Sequence, residues 1–250
     1  MNCFIIAEAG INHDGNLFNA KSLALTAKKC GADAVKFQTW FRYWPDLKYL
    51  TFTKDQWKEL FSYCDYLKMP WFSTPFDLEA IDFLKECGMK IWKVSSGMIA
   101  NKIFLDHLAR VAKNDRIIIS TGMSREEETL GLLTSFSHAD LLYCVSLYPP
   151  MPSEIDLTRI RDKWYFAGFS DHSPGYEMAI AAVTLGARII EKHITRDRNL
   201  PGPDHKSSLD PQQFADMVRC IRNVEQALWP KPMSPRENEQ KIRIRARMAF

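Results

Sequence analysis

Two histidines, His172 and His193, stand 21 residues apart, the length of one strand-plus-helix unit. If neighbouring strands carry them, those strands run roughly 5 Å apart. Two imidazoles so placed can share one metal ion through bonds of about 2.0–2.1 Å. Glu191 and Asp204 lie close by in sequence. A pair of protein ligands leaves coordination positions open, which suits a catalytic ion and not a closed structural site. Imidazole ligation by itself points to zinc. The plainer alternative is a pair of hydrogen-bonded loop histidines.

Lys36 and Lys93 interrupt otherwise apolar runs. A lysine is almost never fully buried without a partner. At the end of a strand each would carry a cation into a shared mouth. With Ser73, Thr74, Ser95, Ser120 and Ser170 they would form a ring of donors for a phosphate and a carboxylate; the alternative is lysines reaching to a solvated rim. Glu8, in Ala-Glu-Ala-Gly, is a carboxylate in apolar surroundings, so a raised pKa fits it for proton transfer. An ion pair with Lys36 is the other reading, and the two are compatible. His107 and His138 fall on helices or helix ends and read as structural. Gly10 and Gly15 do not form a dinucleotide-binding pattern. Trp40, Trp44, Trp57 and Trp71 read as core or rim residues.

Eight short β-rich runs alternate with amphipathic stretches and supply the positions these side chains need. The predicted strands are 3–7, 34–37, 71–73, 91–94, 116–119, 141–145, 165–169 and 189–191. The predicted helices are 18–30, 54–67, 78–87, 103–113, 126–136, 157–162, 176–185 and 211–228. Leu23, Ala27 and Cys30 recur at helical spacing in the first helix, and Trp57, Leu60, Phe61 and Cys64 share a face of the second. Such alternation favours a parallel sheet. Eight units in 250 residues favour one (β/α)8 TIM barrel over residues 1–230. Its active site belongs at the C-terminal ends of the strands, where every strand ends in groups that ionise or hydrogen-bond. Residues 231–250, with Pro232 near the start and a charged run to Phe250, read as a tail or linker.

Composition narrows the function. A formal net charge of +3 argues against a dedicated nucleic-acid binder. The six cysteines, Cys3, Cys30, Cys64, Cys87, Cys144 and Cys220, form no C-x-x-C pair and read as small buried hydrophobes, in keeping with a reducing cytoplasm. Glu8 interrupts the apolar N-terminal run, so no signal peptide is predicted. The most apolar internal stretch, 178–187, is too short for a membrane span.

The motifs together resemble the N-acetylneuraminate (sialic acid) synthase family. Those that carry the resemblance are Ile6-Ala7-Glu8-Ala9-Gly10-Ile11-Asn12-His13-Asp14-Gly15, Val35-Lys36-Phe37-Gln38, Ser73-Thr74-Pro75-Phe76-Asp77 and Lys93-Val94-Ser95-Ser96-Gly97. Ser120-Thr121-Gly122-Met123-Ser124, Ser146-Leu147-Tyr148-Pro149, Gly168-Phe169-Ser170-Asp171-His172-Ser173, Glu191-Lys192-His193-Ile194-Thr195 and Gly202-Pro203-Asp204-His205 follow in order. The resemblance implies condensation of phosphoenolpyruvate with an N-acylated aldose of the N-acetylmannosamine kind, giving a nine-carbon 3-deoxy-2-keto acid and phosphate. It implies a divalent metal on His172 and His193, manganese first, with magnesium or cobalt as alternatives. That outranks the zinc suggested by ligand type. Lys36, Thr74, Lys93, Ser95, Ser120 and Ser170 would contact phosphoenolpyruvate. Gln38, Tyr148 and Asp204 would lie near the sugar or the metal-bound water. Glu8 would position or deprotonate a reacting hydroxyl or water.

Members of the family usually carry a C-terminal antifreeze-like domain that caps the partner's barrel in a dimer. This sequence stops at Phe250, soon after Arg243-Ile244-Arg245-Ala246-Arg247, which resembles the start of the linker to that domain. The expectation is therefore a barrel domain without its cap, with a homodimer or a separately encoded cap domain as partner. The connection from Trp40 to Thr53 is shorter than usual, and Ser146 stands at a site that varies between asparagine and serine. Two other readings are a Schiff-base aldolase at Lys93 or Lys36, and a non-catalytic or partner-dependent sugar-phosphate-binding barrel.

Overall fold

The computed structural model describes residues 2–42, 45–230, 233–234 and 236–247. Trp44, Pro232 and Phe250, named above, lie outside the described residues. The strands are β1 (Phe4–Gly10), β2 (Ala34–Thr39), β3 (Trp71–Pro75), β4 (Ile91–Val94), β5 (Arg116–Ser120), β6 (Asp140–Cys144), β7 (Phe166–Asp171) and β8 (Ile189–His193). Each pairs in parallel with the next, and β8 closes onto β1. The helices between them are α1 (Leu17–Lys29), α2 (Lys54–Tyr66), α3 (Leu78–Glu86), α4 (Lys102–Val111), α5 (Glu126–Ser135), α6 (Thr158–Asp162) and α7 (Glu177–Thr184), and α8 (Pro211–Leu228) follows β8. The chain is a single (β/α)8 TIM barrel, as the alternation predicts.

Local chemistry sets the helix limits. Asn16 caps α1 by accepting from the Asn19 amide, and Gly31 takes a left-handed φ of 84° just beyond its end, a conformation that favours glycine. Thr53 and Gln56 form a reciprocal capping box on α2. Asp210 and Gln213 do the same on α8, where Pro211 fills the first helical position. The apolar face of α2 buries Trp57, Leu60, Phe61 and Cys64. Trp40 and Trp57 are core residues, whereas Trp71 is half-buried and stacks on Phe61.

The barrel is fastened at its base by α8. Arg222 donates to the Cys3 carbonyl at 2.7 Å and to Asp33 at 2.7 Å. Asp33 in turn accepts from the Ile5 amide at 2.7 Å. The six cysteines are free. Among the described residues no helix is long and apolar enough to cross a membrane. The tail contains a further helix, α9 (Glu237–Arg247), with no buried residue.

The strands differ from expectation at their C-terminal ends. β1, β2, β3, β7 and β8 each run two or more residues past the predicted limit, so Glu8, Gln38, Thr74, Ser170 and His193 belong to the strands themselves. Polar residues lower the apparent strand propensity there, but the parallel ladder continues through Glu8↔His193 and Asp171↔Lys192.

Gly168 permits the close approach of β7 and β8. A Cβ there would stand 2.0 Å from the Ile189 carbonyl oxygen. Gly168→Ala should therefore cost about 1–3 kcal/mol or more, as overpacking of a core does. Thermal melting should register it as a drop of roughly 2–4 °C per kcal/mol; an unchanged Tm would contradict the close packing.

Candidate active site

Successive strand residues face opposite sides of the sheet, so the inward positions of β2, β4, β7 and β8 converge at the barrel mouth. Glu8, Lys36, Gln38, Thr74, Lys93 and Ser95 line one small cavity of about 50 Å³ there, together with Ser120, Tyr148, Ser170, His172 and His193. Asp204 is outside that lining, and its Oδ2 lies 3.7 Å from His193 Nδ1. Ser73 does not belong to the donor ring; it faces the other way and hydrogen-bonds Thr39 at 2.8 Å. A larger cleft of about 410 Å³, lined in part by Lys113 and His138, opens at the N-terminal ends of β5 and β6. That face of such barrels serves stability. His107 bonds Asp82 at 2.7 Å across α4 and α3, a structural contact.

The lysines do not reach a solvated rim. Lys36 is 2% exposed and Lys93 3%. Lys36 Nζ lies 2.8 Å from Glu8 Oε2 and 3.0 Å from Thr74 Oγ1. Glu191 Oε1 sits between the two ammonium groups, 3.7 Å from Lys36 and 3.5 Å from Lys93, and accepts from Ser170 at 3.1 Å. Burial pushes the Glu191 carboxyl up, but the two lysines outweigh it and hold the group below its ordinary value. Burial pulls Lys36 down, yet Glu191 and Glu8 raise it overall. Lys93 ends lower than usual because burial outweighs Glu191. Burial, reinforced by Glu191, lifts Glu8 to about 7 despite Lys36. Glu8 is thus raised and also paired with Lys36, and Gln38 donates to its Oε1 at 3.1 Å.

The histidine rings of β8 and the end of β7 stand side by side, with centroids 5.6 Å apart. His172 Nδ1 lies 2.8 Å from the Val145 carbonyl. A carbonyl only accepts, so Nδ1 carries the proton and the Nε2 lone pair is left for a ligand. His193 Nδ1 is buried without a hydrogen-bond partner. Burial lowers His172 to about 4 and His193 well below its usual value, so both rings are neutral, the form that ligates metals. Among the described residues no three His, Cys, Asp or Glu side chains are grouped to hold a metal. These residues fit an ion held by two imidazoles with its other positions open. Tyr148 lies against the His172 ring at 4.1 Å.

This arrangement can be compared with known proteins. The NeuB family matches residues 42–231. This chain belongs to the NeuB family. N,N'-diacetyllegionaminic acid synthase of Legionella pneumophila is 36% identical to it, over 100% of this chain and 80% of that protein. N-acetylneuraminate-9-phosphate synthase of Mus musculus is 34% identical, over 90% of this chain and 71% of that protein. The crystal structure of N-acetylneuraminic acid (sialic acid) synthetase from Leptospira borgpetersenii serovar Hardjo-bovis superposes with a TM-score of 0.87 at 32% identity, covering 100% of this chain and 93% of that one. The NeuB chain described here is therefore a sialic acid synthase-like enzyme.

The sequence marks Glu191 only as a neighbour of the two histidines. Its place was available from strand alternation: once His193 faces inward, so does Glu191 two residues before. Cys144 and Ser96 also line the cavity. Cys144 was hidden in an apolar strand, and its thiol is pushed up to about 12 by burial.

The raised Glu8 pKa has a consequence for stability. A carboxyl moved from 4.5 toward about 7 contributes stability that is present below pH 4.5 and lost as pH rises through 7. Glu8→Gln should remove that loss. Urea unfolding of wild type and variant from pH 5 to 8 should show the difference moving steadily in favour of the variant; parallel curves would refute the shifted carboxyl.

Proposed function

We propose that this NeuB barrel condenses phosphoenolpyruvate with an N-acylated sugar aldehyde, yielding a nine-carbon 3-deoxy-2-keto sugar acid and phosphate. The observation that carries this reading is the convergence of two buried lysines and two neutral imidazoles on one cavity. An anion held by Lys36 and Lys93 would lie beside a Lewis-acid site. The relatives are named for different products: N,N'-diacetyllegionaminic acid, N-acetylneuraminate 9-phosphate and pseudaminic acid. They support the reaction type and leave the choice of sugar to experiment.

Lys36 and Lys93 would bind the phosphate and carboxylate of phosphoenolpyruvate, with hydroxyls of Thr74, Ser95, Ser120 and Ser170 completing the cradle. Charge-assisted bonds in a buried site are stronger than in water. Ser120 Oγ is buried without a partner, so it is free to serve an anionic oxygen. His172 and His193 would hold the divalent cation, manganese first and magnesium or cobalt next. When bound, that ion supplies polarisation of the aldehyde oxygen. Carbon 3 of the enol forms the new bond to the aldehyde carbon, and the positive charge left on carbon 2 is captured by water. Glu8, raised to about 7, takes the proton that this water gives up and can return it to the former aldehyde oxygen, which becomes a hydroxyl. The adduct then releases phosphate, whose charge stays balanced by the lysines throughout. Gln38, Tyr148 and Asp204 border the side on which the sugar would sit. The free cysteines accord with a cytoplasmic enzyme, and a homodimer or a separate cap domain would complete the sugar side.

The burial that lowers the Lys93 pKa from its ordinary value favours one other reading, a Schiff-base aldolase, since buried lysines can form imines. Borohydride with pyruvate should trap no adduct; a stable adduct at Lys93 or Lys36 would favour the aldolase. Screening acylated aldoses for phosphate release with phosphoenolpyruvate and manganese tests the leading reading and names the sugar.

Two variants test the roles. His193→Ala should abolish metal-dependent turnover, and full activity of that variant in chelator-treated buffer would contradict the role of the imidazole. Lys93→Ala should lower kcat/KM for phosphoenolpyruvate by roughly 10–100-fold, from a charged hydrogen bond worth about 1.5–3 kcal/mol. Unchanged kinetic constants would remove Lys93 from the anion site.

A further inference from the structure

The residue before each histidine belongs to a second buried device on the opposite face of the sheet. Asp171 and Lys192 are paired in register on β7 and β8, and both are 0% exposed. Lys192 Nζ donates to Asp171 Oδ2 at 2.9 Å and to the Ser173 carbonyl at 2.5 Å. Asp171 Oδ1 accepts from the Ser173 amide at 2.8 Å and from its hydroxyl at 2.6 Å. The network spans both strands and also fixes the turn that leaves β7 just after His172.

A buried ion pair is poor evidence for stability, because well-packed apolar residues of similar volume often do as well or better. Its best-attested use is to set register. Here a slip of one residue between β7 and β8 would turn one imidazole out of the cavity. Apolar side chains at 171 and 192 would permit such slips, whereas this pair has its bonds satisfied in one register.

We infer that Asp171 and Lys192 are positioning residues that hold His172 and His193 at the separation needed to share one cation. The inference rests on the metal-site reading given above. It assigns the pair to geometry: neither side chain lines the cavity, and each acts through the histidine that follows it in sequence.

The test uses Asp171→Leu/Lys192→Met, which removes both charges together and leaves neither uncompensated. Thermal melting and circular dichroism should stay close to wild type. Manganese affinity, measured by electron paramagnetic resonance, should fall by about 10–100-fold, the usual effect of losing a residue that orients a metal-ligating histidine. Without metal, the imidazole signals of His172 and His193 in the NMR spectrum should change from one set to several. A folded double variant with wild-type manganese affinity and a single set of signals overturns the inference. If the double variant does not fold, Ser173→Ala takes its place; it removes one bond to Asp171, and a several-fold loss of affinity supports the inference while no loss overturns it. Wild-type protein that binds no manganese would instead sink the metal-site reading, and the NMR comparison would still decide whether the pair orders the two rings.

Discussion

Burying Lys36 and Lys93 in one cavity is the constraint around which the mouth of this barrel is built. Two ammonium groups in a dry site repel each other and lose hydration, and neither would stay charged alone. Glu191 meets both through a single oxygen, and Glu8 meets Lys36 from the adjacent strand. With two cations and two carboxylates the cluster is close to neutral, which makes the burial tolerable. The balance is uneven: Glu191 is held ionised by both lysines, while Glu8 is raised to about 7. One carboxylate therefore acts as fixed counter-charge, and the other can exchange a proton near neutral pH. This division between two carboxylates follows from position alone, since Glu191 lies between the lysines and Glu8 touches only one.

Much of this was legible in the sequence. Period and spacing identify eight βα units, and the family motifs mark the residues that line the cavity. Boundaries were less legible because polar residues such as Gln38, Thr39, Asp171, Lys192 and His193 weaken the strand signal while continuing the parallel ladder. The parity of adjacent polar residues was also hidden. Ser73 and Thr74 are both plausible cavity donors, and only the register of β3 sends Thr74 inward and Ser73 to Thr39. Glu191 becomes central through closure of the barrel, which sets its carboxylate against lysines of β2 and β4 far away in the chain. Asp204 lies on an irregular segment that no periodicity describes. Ser208 donates to its carbonyl at 2.6 Å, and Asn12 from the opposite loop donates to Ser208 at 2.8 Å, the second a contact that exists only once β8 and β1 are joined.

The same strand pair shows what separates a structural polar group from a functional one. On the outer face, Asp171, Lys192 and Ser173 satisfy one another. On the inner face, His193 Nδ1, Ser120 Oγ and Glu191 Oε2 are buried without hydrogen-bond partners. An unsatisfied buried polar atom costs about 1–3 kcal/mol, so a fold selected for stability alone would not gather three of them in one cavity. A cation can satisfy the imidazole nitrogen and the carboxylate oxygen of such a set, and a hydrogen-bonding anion can satisfy the hydroxyl. The glycine that lets β7 and β8 close together and the α8 clasp at the base offset that cost, while the bonded outer face holds the register. The barrel is fastened at its base and held in register on the outer face of β7 and β8, and it leaves its unsatisfied polar atoms where substrates and a cation would meet them.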